Sequence, residues 1–343
     1  MKWCIIGAGG IADRRTIPAI LKDPESKIAA VMDRNADVAE KIGLKYGVKY
    51  YSDENAMLDE CECDAVYIGT PVSCHEEQAY AALAHNRNVF IEKPITISSV
   101  AGEKLVKAFK KKNKQITIGY MMKYHNLHEK AKKMLAQGKI GQVVDIRAQF
   151  SCWYPDIAGA WRQKKSLGGG GAAMDLGVHA IELIEYLLGN RIAEVKSFYD
   201  TSTFSYEVED SAIILFRTES GIKGHIDVNF NIPDAASESK LELYGTDGYI
   251  ILKGTLGQEE TGEMLYLYAP QGEYDAQQSR VVAKPRKYRG KGADLYLKQI
   301  EKFKKIVTSG KNEYEFADEA VHVQKIVEMI YKDDEKKRSR LLP

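Results

Sequence analysis

Two short stretches carry side chains suited to proton transfer. In Asn88-Val89-Phe90-Ile91-Glu92-Lys93-Pro94, an apolar run ends abruptly in an acid, a base and a proline. Val89 to Ile91 reads as a buried strand of a parallel sheet. Pro94 lacks a ladder N–H and biases Lys93 towards an extended backbone, so the strand stops there. Ligands of open α/β sheets bind beyond the carboxyl ends of the strands, which aims the Lys93 amine into a cleft. An isolated lysine in such a place is more often a surface residue with proline as punctuation. The second stretch is Gly168-Gly169-Gly170-Gly171-Ala172-Ala173-Met174-Asp175-Leu176-Gly177-Val178-His179. Its glycines lead into a helix whose first turns hold Asp175 and His179, and the i, i+4 spacing sets carboxylate and imidazole on one face. Histidine moves protons near neutral pH, and a carboxylate beside it orients the ring or binds a substrate hydroxyl. A capping Asp with a helix-face His is the plainer reading, but it leaves the glycine run and the preceding Trp161-Arg162 unexplained. Two ligands do not make a metal site, so no metal is expected.

The elements that would position these residues begin with a strand over 2–6 and the loop Gly7-Ala8-Gly9-Gly10-Ile11-Ala12, a G-x-G-x-x-A pattern. Gly7 suits the tight turn, Gly9 lets backbone approach a pyrophosphate, and Ala12 permits close helix–strand packing. The following helix, with Ile11, Ile17, Ile20 and Leu21 on its apolar face, points free N–H groups at the phosphates. A strand over 28–32 then ends in Asp33, about 20 residues further on, where an acid binds the adenosine ribose hydroxyls. An ordinary βαβ turn is the alternative. Asp33 favours NAD because a carboxylate repels a 2′-phosphate. Arg34 keeps NADP open, since a guanidinium pairs with that phosphate or stacks on adenine.

The alternation continues with a helix over 36–46, a strand over 49–51, a helix over 55–58 and a strand over 65–68 that ends in Gly69-Thr70-Pro71. His75 follows close behind, then a helix over 76–86, the Lys93 strand, a helix over 100–113 and a strand over 116–119. This is an α/β Rossmann domain, a doubly wound parallel sheet over 1–120. From Tyr120 the pattern changes to α+β, giving a second domain over 121–343. A helix over 125–137 precedes strands over 143–150, 194–199, 210–217, 223–230, 240–244 and 249–252. Ile226, Val228 and Phe230 alternate with His225, Asp227 and Asn229, so that strand has one apolar face. Glu219-Ser220-Gly221 suits a hairpin turn. These strands make a large open, mostly antiparallel sheet. The polar stretch 257–289 reads as a long hairpin or a mobile loop. Helices over 293–309 and 316–332 close the chain, near the cleft or on the first domain.

Composition excludes several classes of function. At 343 residues with 44% hydrophobic and 28% charged content, the chain suits a soluble two-domain enzyme. A net charge of +1 gives no reason to expect nucleic acid or an anionic membrane as partner. No apolar run approaches membrane-spanning length, and the amino terminus runs straight into a strand rather than a signal peptide. Five cysteines without C-x-x-C spacing suggest reduced thiols in a cytoplasm.

Taken in order, G-x-G-x-x-A, Gly-Thr-Pro with His75 nearby, and Glu92-Lys93-Pro94 resemble the glucose–fructose oxidoreductase/inositol dehydrogenase/rhizopine-catabolism (Gfo/Idh/MocA) family. The 168–179 segment is similar to its glycine-rich catalytic segment. The resemblance spans essentially the whole chain, best over 1–189. It implies that Lys93 reaches both the nicotinamide ribose and the substrate hydroxyl, that His179 is a catalytic acid/base, and that Asp175 is its substrate-contacting partner. The dinucleotide contacts implied are Gly7, Gly9, Gly10, Ile11, Ala12, Asp33, Arg34, Thr70, Pro71, His75, Glu92 and Lys93. Tyr120, Lys123, Tyr124, Trp161 and Arg162 join Lys93, Asp175 and His179 as implied substrate contacts, although core tyrosines are the commoner reading of Tyr120 and Tyr124. Lys123-Tyr124-His125-Asn126 stands where the family has Arg-aromatic-x-Pro, with Lys for Arg and Asn for Pro. The family's exposed sheet face is a subunit interface, which implies a homodimer or homotetramer.

The expected activity is hydride transfer between NAD, or NADP, and a sugar, polyol or cyclitol carbinol. Two rivals remain: a redox-neutral NAD-dependent glycosidase, and a non-catalytic dinucleotide sensor. A sensor needs the glycine loop but not Lys93, Asp175 and His179 together. The sequence leaves open which of Lys93 and His179 takes the proton.

Overall fold

Short apolar strands separated by amphipathic helices pair in parallel because each crossover returns the chain to the same end of the sheet. In the computed structural model, which describes residues 1–270, 272, 274, 276 and 283–338, the first strands and helices are β1 (Lys2–Ile6), α1 (Ile17–Lys22), β2 (Lys27–Met32), α2 (Ala36–Tyr46), β3 (Lys49–Tyr51), α3 (Glu54–Glu60), β4 (Ala65–Ile68), α4 (Val72–Ala84), β5 (Asn88–Glu92), α5 (Ser99–Lys112) and β6 (Ile116–Gly119). There follow α6 (Asn126–Ala136), β7 (Val143–Ser151), a short α7 (Lys165–Gly168) and α8 (Val178–Leu188). The strands β8 (Ile192–Asp200), β9 (Ser211–Thr218), β10 (Lys223–Asn229), β11 (Lys240–Gly245), β12 (Gly248–Lys253), β13 (Glu263–Tyr268) and β14 (Arg286–Arg289) precede α9 (Leu295–Ser309) and α10 (Glu315–Arg338).

The chain divides into two compact units. The first comprises Met1–Met121, Ala160–Gly169 and Asp294–Lys325. Its six-stranded sheet has the order β3-β2-β1-β4-β5-β6, every pair parallel, so the strand order reverses between β1 and β4. Trp3, Ile5, Tyr67 and Phe90 form the core of this unit with Ile300 and Phe303 of α9. Phe303 meets the edge of Phe90 at 5.5 Å and tilts over Trp3 at 5.3 Å. Of the two placements expected for the helix near residue 300, packing on the first unit is the one found. Leu21, expected on the buried face of the first helix, is 47% exposed. The reason is a π turn over Ala12–Thr16, which shifts the downstream face so that Ala12, Thr16, Ile17 and Ile20 point inwards.

The second unit comprises Met122–Gly159, Gly170–Ala293 and Ile326–Pro343. Its eight-stranded sheet has the order β14-β13-β12-β11-β7-β10-β9-β8. Pairing is antiparallel except for β7 with β10, whose parallel register comes from the long excursion between them. Ile226 and Val228 of β10 and the adjacent Phe230 are buried, matching the alternation in the sequence. Within 257–289, β13 and β14 form an antiparallel pair, which favours the long hairpin over the loop, although 271, 273, 275 and 277–282 lie outside the described residues.

Candidate active site

Strand register positions the candidate residues of the first unit. Ile6 pairs with Met32 and with Ile68, and Ile68 with Ile91, so the carboxyl ends of β1, β2, β4 and β5 lie level. Gly7, Asp33, Gly69 and Glu92 are therefore brought together along one edge of the first sheet, beside the reversal point where such sheets bind ligands. Gly7 has φ +78°, and a Cβ there would lie 2.8 Å from Thr70 Cγ2 and 2.9 Å from the Gly69 carbonyl carbon. Only glycine fits the turn. Gly7 and Ala8 donate to the Met32 carbonyl at 2.9 and 3.0 Å, which folds the loop over β2. Asp33 then locks the loop, accepting the Gly9 N–H at 3.3 Å on one oxygen and the Asn35 N–H at 3.0 Å on the other. Arg34 beside it is exposed, Ile11 is half-buried and Ala12 is buried. Gly10 has nothing within 4 Å of its Cβ position, so the loop is open on the side a diphosphate would approach. The cradle fits a dinucleotide.

Lys93 begins where β5 ends and is half-buried, between Glu92 and Pro94 across a cis peptide bond. The Glu92 carboxylate accepts the Tyr67 hydroxyl at 2.8 Å. Burial pushes the Glu92 carboxyl above its usual range, while Tyr67, Lys93 and Arg162 pull it back. Arg162 itself stacks on Trp161, its guanidinium carbon 4.2 Å from the ring centroid, and the structure puts both residues in the first unit. His75 is buried between two backbone carbonyls, with Nδ1 2.9 Å from Pro94 O and Nε2 3.0 Å from Thr70 O. Burial first, and the Lys93 charge after it, hold the imidazole below its ordinary pKa. Expected among the dinucleotide contacts, His75 instead has both ring nitrogens on the protein, bracing the loop that follows β4 against the one that follows β5. The Thr70 hydroxyl donates to Gln78 at 2.6 Å, and Pro71 caps α4.

In the second unit, Asp175 lies in a π turn over Ala173–Gly177 that runs directly into α8, and His179 is the second residue of α8. Asp175 is half-buried and His179 is 5% exposed, with Phe150 edge-on at 6.3 Å. The expected i, i+4 pair is thus carried by one continuous helix, although its first turn is wider than an α-turn. Such π turns are rare and frequently found at functional sites. Three residues after His179, Glu182 is buried and pairs with Lys123 at 2.5 Å. Lys123, expected to touch substrate, is 5% exposed with its ammonium held on α8, as a buried lysine requires a partner. Tyr120, at the end of β6, is 2% exposed and part of the core of its unit, whereas Tyr124 is half-buried. Among the described residues no group of three or more His, Cys, Asp or Glu could hold a metal ion.

Gln78, Tyr67 and Glu182 are the supporting side chains that sequence reasoning missed. Gln78 and Glu182 had a faint signal, each standing three residues after a singled-out histidine on the same helix face.

Residues 1–120 match the model of an oxidoreductase family with an NAD-binding Rossmann fold, and residues 128–251 match the GFO/IDH/MocA C-terminal domain. The chain belongs to the GFO/IDH/MocA family. It is similar to a dTDP-3,4-didehydro-2,6-dideoxy-alpha-D-glucose 3-reductase of Streptomyces antibioticus, 26% identical over 76% of this chain and 78% of the relative. It is also similar to D-xylose 1-dehydrogenase (NADP(+)) 2 of Haloferax volcanii, 25% identical over 98% of both chains. The crystal structure of an aldose-aldose oxidoreductase from Caulobacter crescentus shares the fold, with a TM-score of 0.86 at 20% identity over 98% of both chains. As a GFO/IDH/MocA member, the chain is an NAD(P)-dependent oxidoreductase acting on a carbinol or carbonyl of a sugar, polyol or cyclitol.

Proposed function

We propose that Lys93, Asp175 and His179 carry the proton chemistry of this oxidoreductase, and that the substrate is a sugar, polyol or cyclitol handled in a cytoplasm. The observation behind this reading is the placement of Lys93 just past the end of β5, between the Glu92 carboxylate and Pro94, whose carbonyl is braced by His75. The glycine loop, Asp33 and the loop at Thr70 would hold the dinucleotide, which supplies a hydride acceptor or donor when bound. The Lys93 ammonium stabilises negative charge developing on a substrate oxygen. His179 takes the hydroxyl proton in oxidation and returns it in reduction, while Asp175 orients the ring or binds a neighbouring hydroxyl. Arg162, whose charge acts on Glu92, and Trp161 beneath it would contact substrate. Asp33 favours NAD over NADP, whereas the Haloferax relative is named for NADP.

The test is nicotinamide absorbance on mixing the protein with NAD⁺ or NADP⁺ and a panel of aldoses, inositols and polyols, with Lys93→Ala alongside. Turnover in the native protein is expected to fall ~10²–10⁴-fold in the variant, with dinucleotide affinity retained. Full turnover in Lys93→Ala would sink the mechanism.

Assembly through the open sheet belongs to the same reading. On the outer face of the second sheet, Phe198, Ile213 and Leu215 are 66, 53 and 52% exposed, and Phe198 and Ile213 are direct cross-strand partners. Apolar rows of this kind on a strand's outer face mark an interface. A homodimer or homotetramer is expected in sedimentation, and Ile213→Asp with Leu215→Asp should dissociate it. A monomeric native protein would refute this part. Cys4, Cys61, Cys63, Cys74 and Cys152 are all free thiols, in keeping with a reducing cytoplasm.

A further inference from the structure

We propose that Glu209 and Tyr331 form a clamp on the helix that carries Asp175 and His179, acting as positioning residues for the reaction; this rests on the roles given to that helix above. A helix begins with N–H groups that need acceptors from outside it. Here the preceding residues are glycines, and no side chain of its own caps either the π turn or α8. The acceptors come instead from Glu209, just ahead of β9. Its carbonyl accepts the Ala172 N–H at 3.0 Å, and its carboxylate accepts the Ala173 N–H at 3.0 Å. The same carboxylate oxygen accepts the Tyr331 hydroxyl at 2.8 Å. Glu209 is 5% exposed, so the carboxylate depends on these donors.

The glycine run is shaped to this clamp. A Cβ on Gly171 would lie 1.9 Å from the Glu209 carbonyl oxygen, and one on Gly170 would lie 1.9 Å from the Tyr331 hydroxyl. The two glycines are sockets for the clamping residues, which accounts for them without any need for flexibility. Tyr331 is anchored in turn. Its ring meets Tyr199 of β8 edge-on at 5.2 Å, the Ser197 hydroxyl donates to the Ile330 carbonyl at 2.7 Å, and Asp333 accepts the Ser197 N–H at 3.0 Å. The last turns of α10 and strand β8 thus hold Glu209 against the helix start. Asp175 lies two residues beyond Ala173, the residue that Glu209 grips. One residue of helical rotation is about 100°, so a slipped start would carry both reactive side chains off their face.

Three measurements on the full-length protein test the clamp. Glu209→Gln keeps shape and one acceptor oxygen but removes the charge and the second acceptor from a carboxylate that takes hydrogen bonds from the Gly171, Glu209 and Ala173 backbone and from Tyr331, and should lower kcat about 10- to 100-fold while leaving the dinucleotide KM unchanged. Tyr331→Phe, the milder variant, should do the same in smaller measure. In a His179→Ala background, adding Glu209→Gln should cost less activity than it does in the native protein, because the part of its effect that runs through His179 is already lost. Amide exchange over 172–179 should accelerate in Glu209→Gln, with the first unit unaltered. Full kcat in both variants, additive losses in the double variant, or unchanged exchange would each overturn the clamp. Absence of turnover in the native protein would count against the proposed function instead, and the exchange experiment would still decide the clamp.

Discussion

Asp33 serves two purposes at the end of β2, closing the glycine loop through the Gly9 N–H and opening α2 through Asn35. If Asp33 holds the adenosine ribose as proposed, its charge would repel a 2′-phosphate, so Asp33→Ser, which keeps an acceptor for Gly9, should narrow the gap between NADH and NADPH affinity by about tenfold, or ~1.4 kcal/mol. Fluorescence titration with both nucleotides measures this, and an unchanged ratio removes the argument for NAD. The tight turn at Gly7 and the strand-end positions of Asp33 and Lys93 were legible in the sequence because each is set by neighbouring residues. Glu209 was not, since the N–H it accepts belongs to a residue 36 positions away. Tyr67 reads as one more apolar strand residue, and only the fold brings its hydroxyl to Glu92. Lys123 shows the same limit: its type suggests a substrate contact, and only the fold brings Glu182 to its ammonium.

At the level of elements, the strands and helices of the first sheet followed from periodicity, because every strand there except the edge strand β3 is a short apolar run between helices. Periodicity failed at the π turns over Ala12–Thr16 and Ala173–Gly177, whose wider spacing leaves no mark on an apolar pattern read with a fixed step. It was equally silent on the parallel pairing of β7 with β10, since either direction buries the same face. The closing helix α9 was expected, but not the depth of its docking. Phe303 is fully buried against Trp3 and Phe90. Phe303→Ala should therefore destabilise the protein by about 3–5 kcal/mol, through lost apolar burial and the cavity left behind. Urea denaturation gives the value, and a loss under about 1 kcal/mol would mean that the site collapses to fill the space.

For the molecule as a whole, acid removes the stability that a buried, neutral histidine supplies. His128 is fully buried beside His125, donating from Nδ1 to the Met122 carbonyl at 2.8 Å, with Thr255 Oγ1 2.9 Å from Nε2. Burial, with the neighbouring imidazole adding to it, lowers its pKa from 6.5 to about 3. The unfolded chain therefore takes up this proton first. Stability from the neutral ring is complete above pH 6.5 and is lost as pH falls towards 3, by roughly 5 kcal/mol in all. Glu92 and Glu209, raised by burial, act in the opposite sense. They are common to the native protein and His128→Gln, so the difference between the two curves isolates the histidine. Denaturation midpoints from pH 7 to pH 4 should fall less steeply in the variant, and parallel curves would contradict the assignment. The split course of the first unit also bears on how the protein is made. Its sheet is complete by Gly119, yet Ile300 and Phe303, which cover Trp3 and Phe90, belong to Asp294–Lys325. On the ribosome, that apolar surface stays bare while some 170 residues of other sequence emerge, about 10–30 s at 5–20 residues per second. The nascent sheet is then a ready client for chaperones, and its folding waits on a helix encoded about 170 codons further along the message.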